Sequence, residues 1–409
     1  METLLIFGLQ YPESKSTAAG SRMLQLISLF KEYGYDIHFA CAQLPTEFSN
    51  DLNVLKINTH AVKINDKLTG LLLKEINPHI VLFDRFITEE QFGWIVEETC
   101  PNALKILDTE DLHFLRENRE KLLDLQDSNP YEFAFTDKAK REIGAIYRCD
   151  LTLMISKVEI EILVEKFRIP EELLWYLPFI FDVSKLKIEN TPKYEDRLHF
   201  VSIGNFKHRP NLDMVKHLHK NIWPEIRKAL PKAEWHVFGA YLPQQIQEMH
   251  KPENGVIVMG RAEDVLSTLQ SYKVMLAPLR FGAGLKGKCF DSMRSGTPSV
   301  TTSVGAEGIT EHKDWPGFVE DDEQEFVNAS VELYQNQNIW QDKQKKAFEI
   351  LSQNFSKAEF QKKFQEELKY GLSHLKSIRR NNLTGQLLKF HLHRSTKFMS
   401  LWIEEKNLK

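Results

Sequence analysis

Cysteine is scarce in this chain, and its scarcity excludes several kinds of protein. The 409 residues include four cysteines, at positions 41, 100, 149 and 289, and no two of them form a Cys-x-x-Cys pair. Structural zinc sites and disulfide frameworks both need grouped or regularly spaced cysteines. The sequence therefore predicts neither, and we interpret the four residues as small, buried hydrophobic side chains.

Long apolar runs and an excess of positive charge are also missing. No segment reaches the roughly 18 continuous apolar residues of a membrane span, and residues 1–8 lack the basic start and cleavage site of a signal peptide. The net charge of −4 gives no general attraction to nucleic acid. We expect a cytoplasmic protein that does not bind nucleic acid.

Short β-rich runs alternate with amphipathic helical stretches along most of the chain. The pattern runs from 4–7 to 151–155, includes a long charged helical region at 115–145, and restarts from 199–204 to 299–302. Such alternation predicts doubly wound parallel sheets, and the length suggests two domains. We predict an α/β fold with two Rossmann-like domains, residues 1–187 and 188–372, facing each other across a cleft.

The stretch 280–293 predicts a phosphate-binding loop that opens a helix. It follows an apolar run, 274–277, that Pro278 closes in the manner of a buried parallel strand. Glycines permit close backbone approach to a ligand, and a helix N-terminus with lysines attracts an anion. The residues concerned are Gly282, Gly284, Gly287, Lys286 and Lys288. Asp291, farther along the helix, is suited to accept hydrogen bonds from sugar hydroxyls.

The loop has two other interpretations. A glycine-rich turn before a helix is often purely structural, but two lysines, a carboxylate and a second glycine-containing turn favour a nucleotide site. The Gly-x-x-x-x-Gly-Lys spacing matches a Walker loop, but Cys289 stands where the magnesium-binding Ser or Thr is required. No Asp-x-Asp constellation suggests a divalent cation. We therefore predict a nucleotide site without a metal.

His113 is the strongest catalytic candidate in the first half of the chain. It follows the predicted strand 103–107, with Asp108 and Asp111 close enough in sequence to orient or charge its ring. Alternatively, His113 caps the next helix and the two aspartates are N-cap residues. Both interpretations stay open at this point.

Segments across the chain resemble retaining glycosyltransferases of the GT-B superfamily, family four. The resemblance is carried by 276–308, by 201–211, 222–226 and 237–239 in the second half, and more loosely by 108–116 in the first. It implies a nucleotide-sugar donor bound by the second domain, metal-independent transfer with retention of configuration, and no cofactor. It also implies a C-terminal helix that crosses back to the first domain.

The resemblance assigns roles residue by residue. Lys288 takes the place of a diphosphate-binding lysine, and Asp291 that of the second glutamate of a paired-glutamate motif. The first glutamate falls at Ala283, so sugar recognition passes to backbone N–H groups, and Asn205 stands where many members carry arginine. The implied donor-binding residues are Gly204, Asn205, Arg209, Arg280, Gly282, Gly284, Leu285, Lys286, Lys288 and Asp291. Arg209 or Arg280 would supply the missing charge.

In the first domain the resemblance supports His113, with Asp111, as catalytic residues near the transferred sugar. Gly20 and Arg22 resemble an acceptor-side loop, and Arg22 would meet an anionic group. The implied partners are a nucleoside diphosphate sugar and a glycan, lipid-linked or small-molecule acceptor. The expected function is hexosyl transfer in surface polysaccharide or glycoconjugate synthesis.

Basic and apolar residues are interleaved in the tail, 373–409. This pattern predicts one or more basic amphipathic helices that either pack on the first domain or lie on the inner membrane surface as a peripheral contact. Two alternative functions stay open. One is a GT-B nucleotide-sugar epimerase, which the loss at Ala283 disfavours. The other is a non-catalytic GT-B subunit that binds a donor or a partner transferase, which Ala283 and Asn205 favour.

Overall fold

Two parallel β-sheets, each covered by helices, form the described part of the chain. The computed structural model describes residues 2–123 and 135–407. Within them the first sheet has seven strands: β1 (Thr3–Gly8), β2 (Asp36–Cys41), β3 (Asn58–Ala61), β4 (Ile80–Asp84), β5 (Leu104–Asp108), β6 (Leu151–Met154) and β7 (Leu174–Tyr176). They pair in the order β3-β2-β1-β4-β5-β6-β7, always in parallel. The predicted doubly wound arrangement is confirmed.

Helices connect the strands of this first sheet. They are α1 (Ala18–Glu32), α2 (Leu68–Ile76), α3 (Arg85–Thr99), α4 (His113–Leu122), α5 (Asp137–Arg148) and α6 (Lys157–Phe167). The predicted helical region 115–145 corresponds to α4 and α5 where it is described, and its residues 124–134 lie outside the described part of the chain.

The second sheet repeats the plan from residue 198 onward. Its six described strands are β8 (Leu198–Ile203), β9 (Trp235–Phe238), β10 (Val256–Gly260), β11 (Tyr272–Ala277), β12 (Ser299–Thr301) and β13 (Gly317–Val319). They pair in parallel in the order β10-β9-β8-β11-β12-β13. The accompanying helices are α7 (Arg209–His217), α8 (Trp223–Ala229), α9 (Gln244–Gln247), α10 (Val265–Gln270), α11 (Gly287–Arg294), α12 (Ser303–Ala306), α13 (Glu323–Gln335) and α14 (Gln337–Asn354).

Both faces of the first sheet are buried, which explains its apolar strands. In β1, Leu5 and Phe7 belong to one hydrophobic layer and Leu4 and Ile6 to the other. Because helices cover both faces, the strand shows a continuous apolar run and no alternation with polar residues. The four cysteines are buried and unpaired, as predicted.

The C-terminal helices return to the first domain. They are α15 (Lys357–Asn381), α16 (Leu383–Leu388) and α17 (Arg394–Asn407), with a wide helical turn at Lys389–His393. Phe364 and Leu368 of α15 pack into the core beside β5, and Arg379 binds Asp150 at 2.8 Å. The predicted crossing helix is therefore present. It begins at Lys357, so residues 357–372 pack on the first domain although the predicted boundary assigned them to the second.

The sequence missed two of the three-residue strands and displaced one other short strand. β7 and β13 have three residues each and were not predicted, and β3 lies at Asn58–Ala61, before the predicted 61–64. Three residues are too few to show a hydrophobic period. None of the helices described here has the length and hydrophobicity required to cross a bilayer.

Candidate active site

A cavity of about 490 Å³ lies between the two domains. Residues that follow the C-terminal ends of strands in both sheets line it, including Arg85 after β4, Asp111 after β5, Asn205 after β8 and Lys288 after β11. In open parallel sheets this edge is where ligands bind, because loops from several strands converge there. The predicted interdomain position of the site agrees with this cavity.

The predicted phosphate loop borders the cavity from the second domain. It leaves β11, and α11 begins at Gly287 with Lys286 at its N-cap. Gly282, Leu285, Lys286, Lys288 and Asp291 all line the cavity. The unpaired N–H groups of the first turn of α11 and the two lysines place positive charge at one side of the cavity.

Lys286 is buried and Lys288 is half-buried. Lys286 is 8% exposed, and its Nζ donates to Gly284 O at 2.8 Å and lies 3.5 Å from Glu307 Oε2. Lys288 Nζ donates to Asn211 Oδ1 at 2.5 Å. Burial lowers the pKa of Lys288 to about 8 and also lowers the pKa of Lys286, although Glu307 opposes the second shift. A bound anion would favour the charged form of both.

Asn205 and Asp291 lie at two other parts of the cavity wall. Asn205 Oδ1 accepts the N–H of Lys207 at 2.9 Å, and its carbonyl accepts Asn211 Nδ2 at 2.9 Å, so it shapes the loop after β8. Gly204 precedes it, and a Cβ there would lie 2.7 Å from Asn211 Cγ. Asp291 lies 3.3 Å from Arg294, yet burial raises the pKa of its carboxyl to about 6.

Two glycines of the loop make room for the first domain. A Cβ on Gly284 (φ +61°) would lie 2.8 Å from Asp111 Cβ, and a Cβ on Gly287 would lie 2.6 Å from Ala18 Cβ. We expected these glycines to allow a ligand to approach. In the structure the close neighbours of both positions belong to the opposite domain, so their immediate role is to let the domains meet.

His113 and Asp111 lie on the opposite wall. His113 is the first residue of α4, its ring packs edge-on against Phe86, and its Nε2 lies 3.4 Å from Asp111 Oδ1. Burial lowers the pKa of His113 to about 4, against the opposing effect of Asp111. For Asp111, burial is outweighed by Arg116, His113 and His208, which lower its pKa to about 2. Near pH 7 the pair is thus a neutral imidazole beside a carboxylate.

The carboxylate of Glu142, on another helix, binds the backbone at the start of α4. Glu142 accepts the N–H groups of His113 and Phe114 at 2.9 and 2.7 Å, and therefore caps α4 from another helix. Leu112, not Asp108 or Asp111, is the N-cap residue of α4, so the capping alternative is wrong for both aspartates. Burial raises the pKa of Glu142 to about 8.

Glu159 joins the two walls of the cavity. Its Oε1 accepts Leu112 N–H at 3.1 Å and Gly284 N–H at 2.8 Å. Burial, with Asp111 nearby, raises the pKa of this carboxyl to about 7. One side chain thereby couples the His113 loop to the phosphate loop, and the sequence contained no local indication of it.

Two further cavity residues occupy an unusual backbone conformation. Arg85 (φ +69°) and Glu110 (φ +64°) follow β4 and β5, respectively. Glu110 is 7% exposed, its Oε1 has no hydrogen-bond partner among the described residues, and burial raises its pKa well above the ordinary value. Left-handed backbone in non-glycine residues is uncommon and often marks a functional site. The sequence did not single out Glu110.

Comparison with known proteins identifies the second domain. Residues 197–336 match the family described as glycosyl transferases group 1. The match lies within the second domain and covers about one third of the chain. No curated sequence is similar enough to the chain to count as a relative.

Solved structures identify the fold of this chain as GT-B. Sucrose-phosphate synthase from Thermosynechococcus elongatus is 11% identical to this chain, with a TM-score of 0.67. The superposition covers 91% of this chain and 100% of the synthase chain. Anabaena HepE in complex with UDP and glucose is 15% identical, with a TM-score of 0.66. That superposition covers 90% of this chain and 100% of the HepE chain. A glycosyltransferase from Rickettsia africae is 12% identical with a TM-score of 0.64, covering 90% and 98%. The predicted pair of Rossmann-like domains is confirmed.

Five predicted site residues lie outside the cavity lining: Gly284, described above, and Gly20, Arg22, Arg209 and Arg280. Arg22 is buried, and donates to Pro178 O at 2.7 Å and to Asp108 at 3.4 Å. Gly20 packs against the backbone of Glu13. Arg280 pairs with Asp213 on the surface, and Arg209 reaches Glu120 of the first domain at 2.8 Å. Because these side chains point into the interior or to other partners, none of them adds charge to the cavity in this conformation.

Polar contacts between the two domains close the cleft on both sides. Arg119 of α4 donates to Gly282 O at 2.8 Å and forms a two-pronged pair with Glu307 at 2.7 Å. Tyr241 of the second domain donates to the carboxylate of Glu13 in the first at 3.1 Å. The structure is therefore that of a closed cleft.

One cluster of potential metal-ligating side chains is present among the described residues, and it is remote from the cavity. His199, Glu234 and His236 lie at the beginnings of β8 and β9, the sheet edge opposite the site. His199 Nδ1 accepts Glu234 N–H at 3.1 Å, which places the ring proton on Nε2. Glu234 Oε2 lies 2.8 Å from His236 Nε2 and 3.7 Å from His199 Nε2, so contacts among its own members hold this cluster together.

Proposed function

We propose that this chain is a retaining glycosyltransferase that moves a sugar from a nucleoside diphosphate sugar to a glycan, lipid-linked or small acceptor. It would act without metal or cofactor, in surface polysaccharide or glycoconjugate synthesis. The observation that carries this proposal is the placement of buried Lys286 and half-buried Lys288 at the start of α11, in one cavity with His113 and Asp111.

The donor side is supported by charge and by the structural neighbours. A diphosphate would receive hydrogen bonds from the first turn of α11 and charge-assisted bonds from Lys288. Two neighbour structures contain UDP with glucose and UDP-glucose, both in Anabaena HepE. A nucleotide sugar is therefore the donor class that suits this cavity best.

The transfer step needs stabilisation of the departing diphosphate. Cationic side chains and a helix N-terminus provide it as negative charge develops on the leaving oxygen. On the opposite wall, the neutral imidazole of His113 can exchange hydrogen bonds with sugar hydroxyls, while the Asp111 carboxylate stabilises positive charge developing at the reacting carbon. Retention of configuration is supported by the resemblance to family four.

The decisive experiment measures release of free nucleoside diphosphate from a panel of nucleotide sugars in the presence of glycan and lipid acceptors. We expect turnover with one donor, with and without a metal chelator. The anomeric configuration of the product, determined by NMR, should equal that of the donor. An epimerase would convert the donor without releasing the diphosphate. A donor-binding subunit would bind without turnover, and either result would contradict the proposal.

Lys288→Ala tests the site itself. We expect donor binding to weaken by about 2–3 kcal/mol, because a buried diphosphate loses a charge-assisted hydrogen bond. Lys216→Ala, an exposed lysine on α7, is the matched control and should bind the donor as the wild type does. Calorimetric titration measures both. Unchanged affinity in Lys288→Ala would place the diphosphate elsewhere.

A further inference from the structure

The C-terminal arm, which we define as residues 383–407, is an amphipathic helical segment whose apolar face is exposed and whose polar face is buried. Its inward face is small or polar, with Gly385, Lys389, His393 and Ser400 all buried. Its outward face carries eight exposed large apolar side chains: Leu383, Leu387, Phe390, Leu392, Phe398, Met399, Leu401 and Trp402. A surface helix of a globular protein normally places these two kinds of residue the other way round.

Specific polar contacts fix this orientation. Lys389 Nζ lies 3.8 Å from Glu97 and 3.9 Å from Asp150, while His393 Nε2 lies 3.3 Å from Glu89. Ser400 donates to Asn65 at 2.5 Å. If the arm rotated to bury its apolar face, these buried charged groups would lose their partners, and an unpaired buried charge is very unfavourable. The apolar face is therefore held outward.

Cations accompany the exposed aromatic residues. The Arg394 guanidinium lies 4.9 Å from the ring centre of Phe390, and Lys406 Nζ lies 5.3 Å from that of Trp402. Arg380 is exposed just before the arm, and Glu405 is the one exposed carboxylate within its described residues. Tryptophan and phenylalanine beside lysine and arginine are the combination that prefers the interface of an anionic membrane.

We propose that the outward face of the arm lies in the surface of a membrane containing anionic lipids and holds the first domain there. The other possible occupant, a second copy of the same face, would bring Arg394 and Lys406 of both copies together and so oppose like charges. Anionic headgroups complement these charges, and the acyl boundary accepts the apolar side chains. The proposal is independent of the proposed catalytic function.

Vesicle binding of the full chain tests the proposal without donor or acceptor. The vesicles contain equal parts of phosphatidylcholine and phosphatidylglycerol, or phosphatidylcholine alone, and bound protein is measured by flotation. The test variant is Phe390→Ser/Phe398→Ser/Trp402→Ser. The matched control, Val54→Ser/Leu198→Ser/Met259→Ser, removes three exposed apolar side chains outside the arm. Circular dichroism confirms that both are folded.

We expect the wild type and the control to bind anionic vesicles, and the test variant to bind at least about tenfold more weakly. Arg394→Gln/Lys406→Gln should weaken binding to anionic vesicles and reduce its sensitivity to salt, with little effect on neutral ones. Wild-type protein that does not float with anionic vesicles, or a test variant that floats equally well, would overturn the proposal. So would light scattering that shows a wild-type dimer and a monomeric test variant, because a second copy would then cover the face.

Discussion

The ionisation state of His113 determines which roles it can play. Its pKa, lowered by burial to about 4, leaves the ring neutral near pH 7, with Asp111 3.4 Å away as a carboxylate. A neutral imidazole can donate or accept a hydrogen bond but cannot supply a fixed positive charge. We therefore assign diphosphate binding to the lysines and sugar contacts to His113.

Replacing His113 should affect turnover more than binding. In His113→Ala we expect kcat to fall at least about tenfold, since a hydrogen bond that strengthens in the transition state is lost. The donor dissociation constant should change less than about threefold. His374→Ala, an exposed histidine stacked on Tyr370, is the control and should match the wild type. If kcat is unchanged, His113 has only a structural role.

Donor affinity should depend on pH through Lys288. Burial lowers the pKa of the free lysine to about 8, and a bound diphosphate raises it, so the charged form binds more tightly. Affinity is therefore full below about pH 8 and falls above it, with an expected loss of about tenfold between about pH 7 and about pH 9. Titrations at several pH values measure this. Lys288→Arg should remove the dependence, because arginine stays charged, and a variant that keeps the wild-type profile would assign the titration to another group.

Several important side chains in the site have no local pattern that could reveal them. Glu159 meets Gly284 across 125 residues of sequence, and Glu142 caps α4 from 28 or more residues away. In the sequence both glutamates look like ordinary charges on amphipathic helices. Lys286, Lys288 and Asp291 were predictable because one strand, one loop and one helix position them together.

At the scale of elements, the start of a helix decides where its residues point. The sequence pattern predicts this helix over 22–33, with Arg22 at its start and Gly20 in the loop before it. The helix begins at Ala18 with Thr17 as its N-cap, so Arg22 falls in the second turn, on the buried face with Leu26. The acceptor-side role predicted for Arg22 is therefore not supported by its position. Helix starts are the least certain part of a sequence-based prediction, and here four residues changed a side chain from exposed to buried.

The phosphate loop depends on glycine for contact between domains. Gly284→Ala combines an unfavourable positive φ with a Cβ 2.8 Å from Asp111 Cβ. We expect a loss of roughly 1–3 kcal/mol in the free energy of unfolding and a clear fall in kcat/KM, because the loop must shift away from Asp111. Chemical denaturation and initial rates measure the two effects.

Gly34→Ala distinguishes the effect of backbone strain from the effect of the contact between the domains. Gly34 also has positive φ, +86°, but a Cβ there would meet nothing within 4 Å. This variant should lose stability by about 1 kcal/mol and keep its kcat/KM. If both variants lose stability equally and both keep wild-type activity, the contact of Gly284 with the first domain has no functional importance.

At the scale of the whole molecule, the two-domain plan was the most predictable feature. Repeated strand and helix patterns in both halves, and the position of 280–293 after a strand end, sufficed for the fold and the location of the cavity. The interaction between domains was not predictable, because it depends on pairs such as Arg119 with Glu307 that are 188 residues apart. Ala283 illustrates the same limit: it lines the cavity and packs against the core of the first domain, a contact between domains that its place in the sequence does not reveal.

Arg119 provides the test of cleft closure. Its two-pronged pair with Glu307 and its bond to Gly282 O join α4 to the phosphate loop. Arg119→Ala should open the cleft, raise the radius of gyration of the donor-free protein in X-ray scattering, and weaken donor binding by about 1–2 kcal/mol. Arg141→Ala removes a comparable pair with Glu90 that lies entirely within the first domain, and should change neither quantity. If Arg119→Ala stays as compact as the wild type and binds the donor equally well, then the remaining contacts, such as Glu159 with Gly284, suffice to hold the domains together.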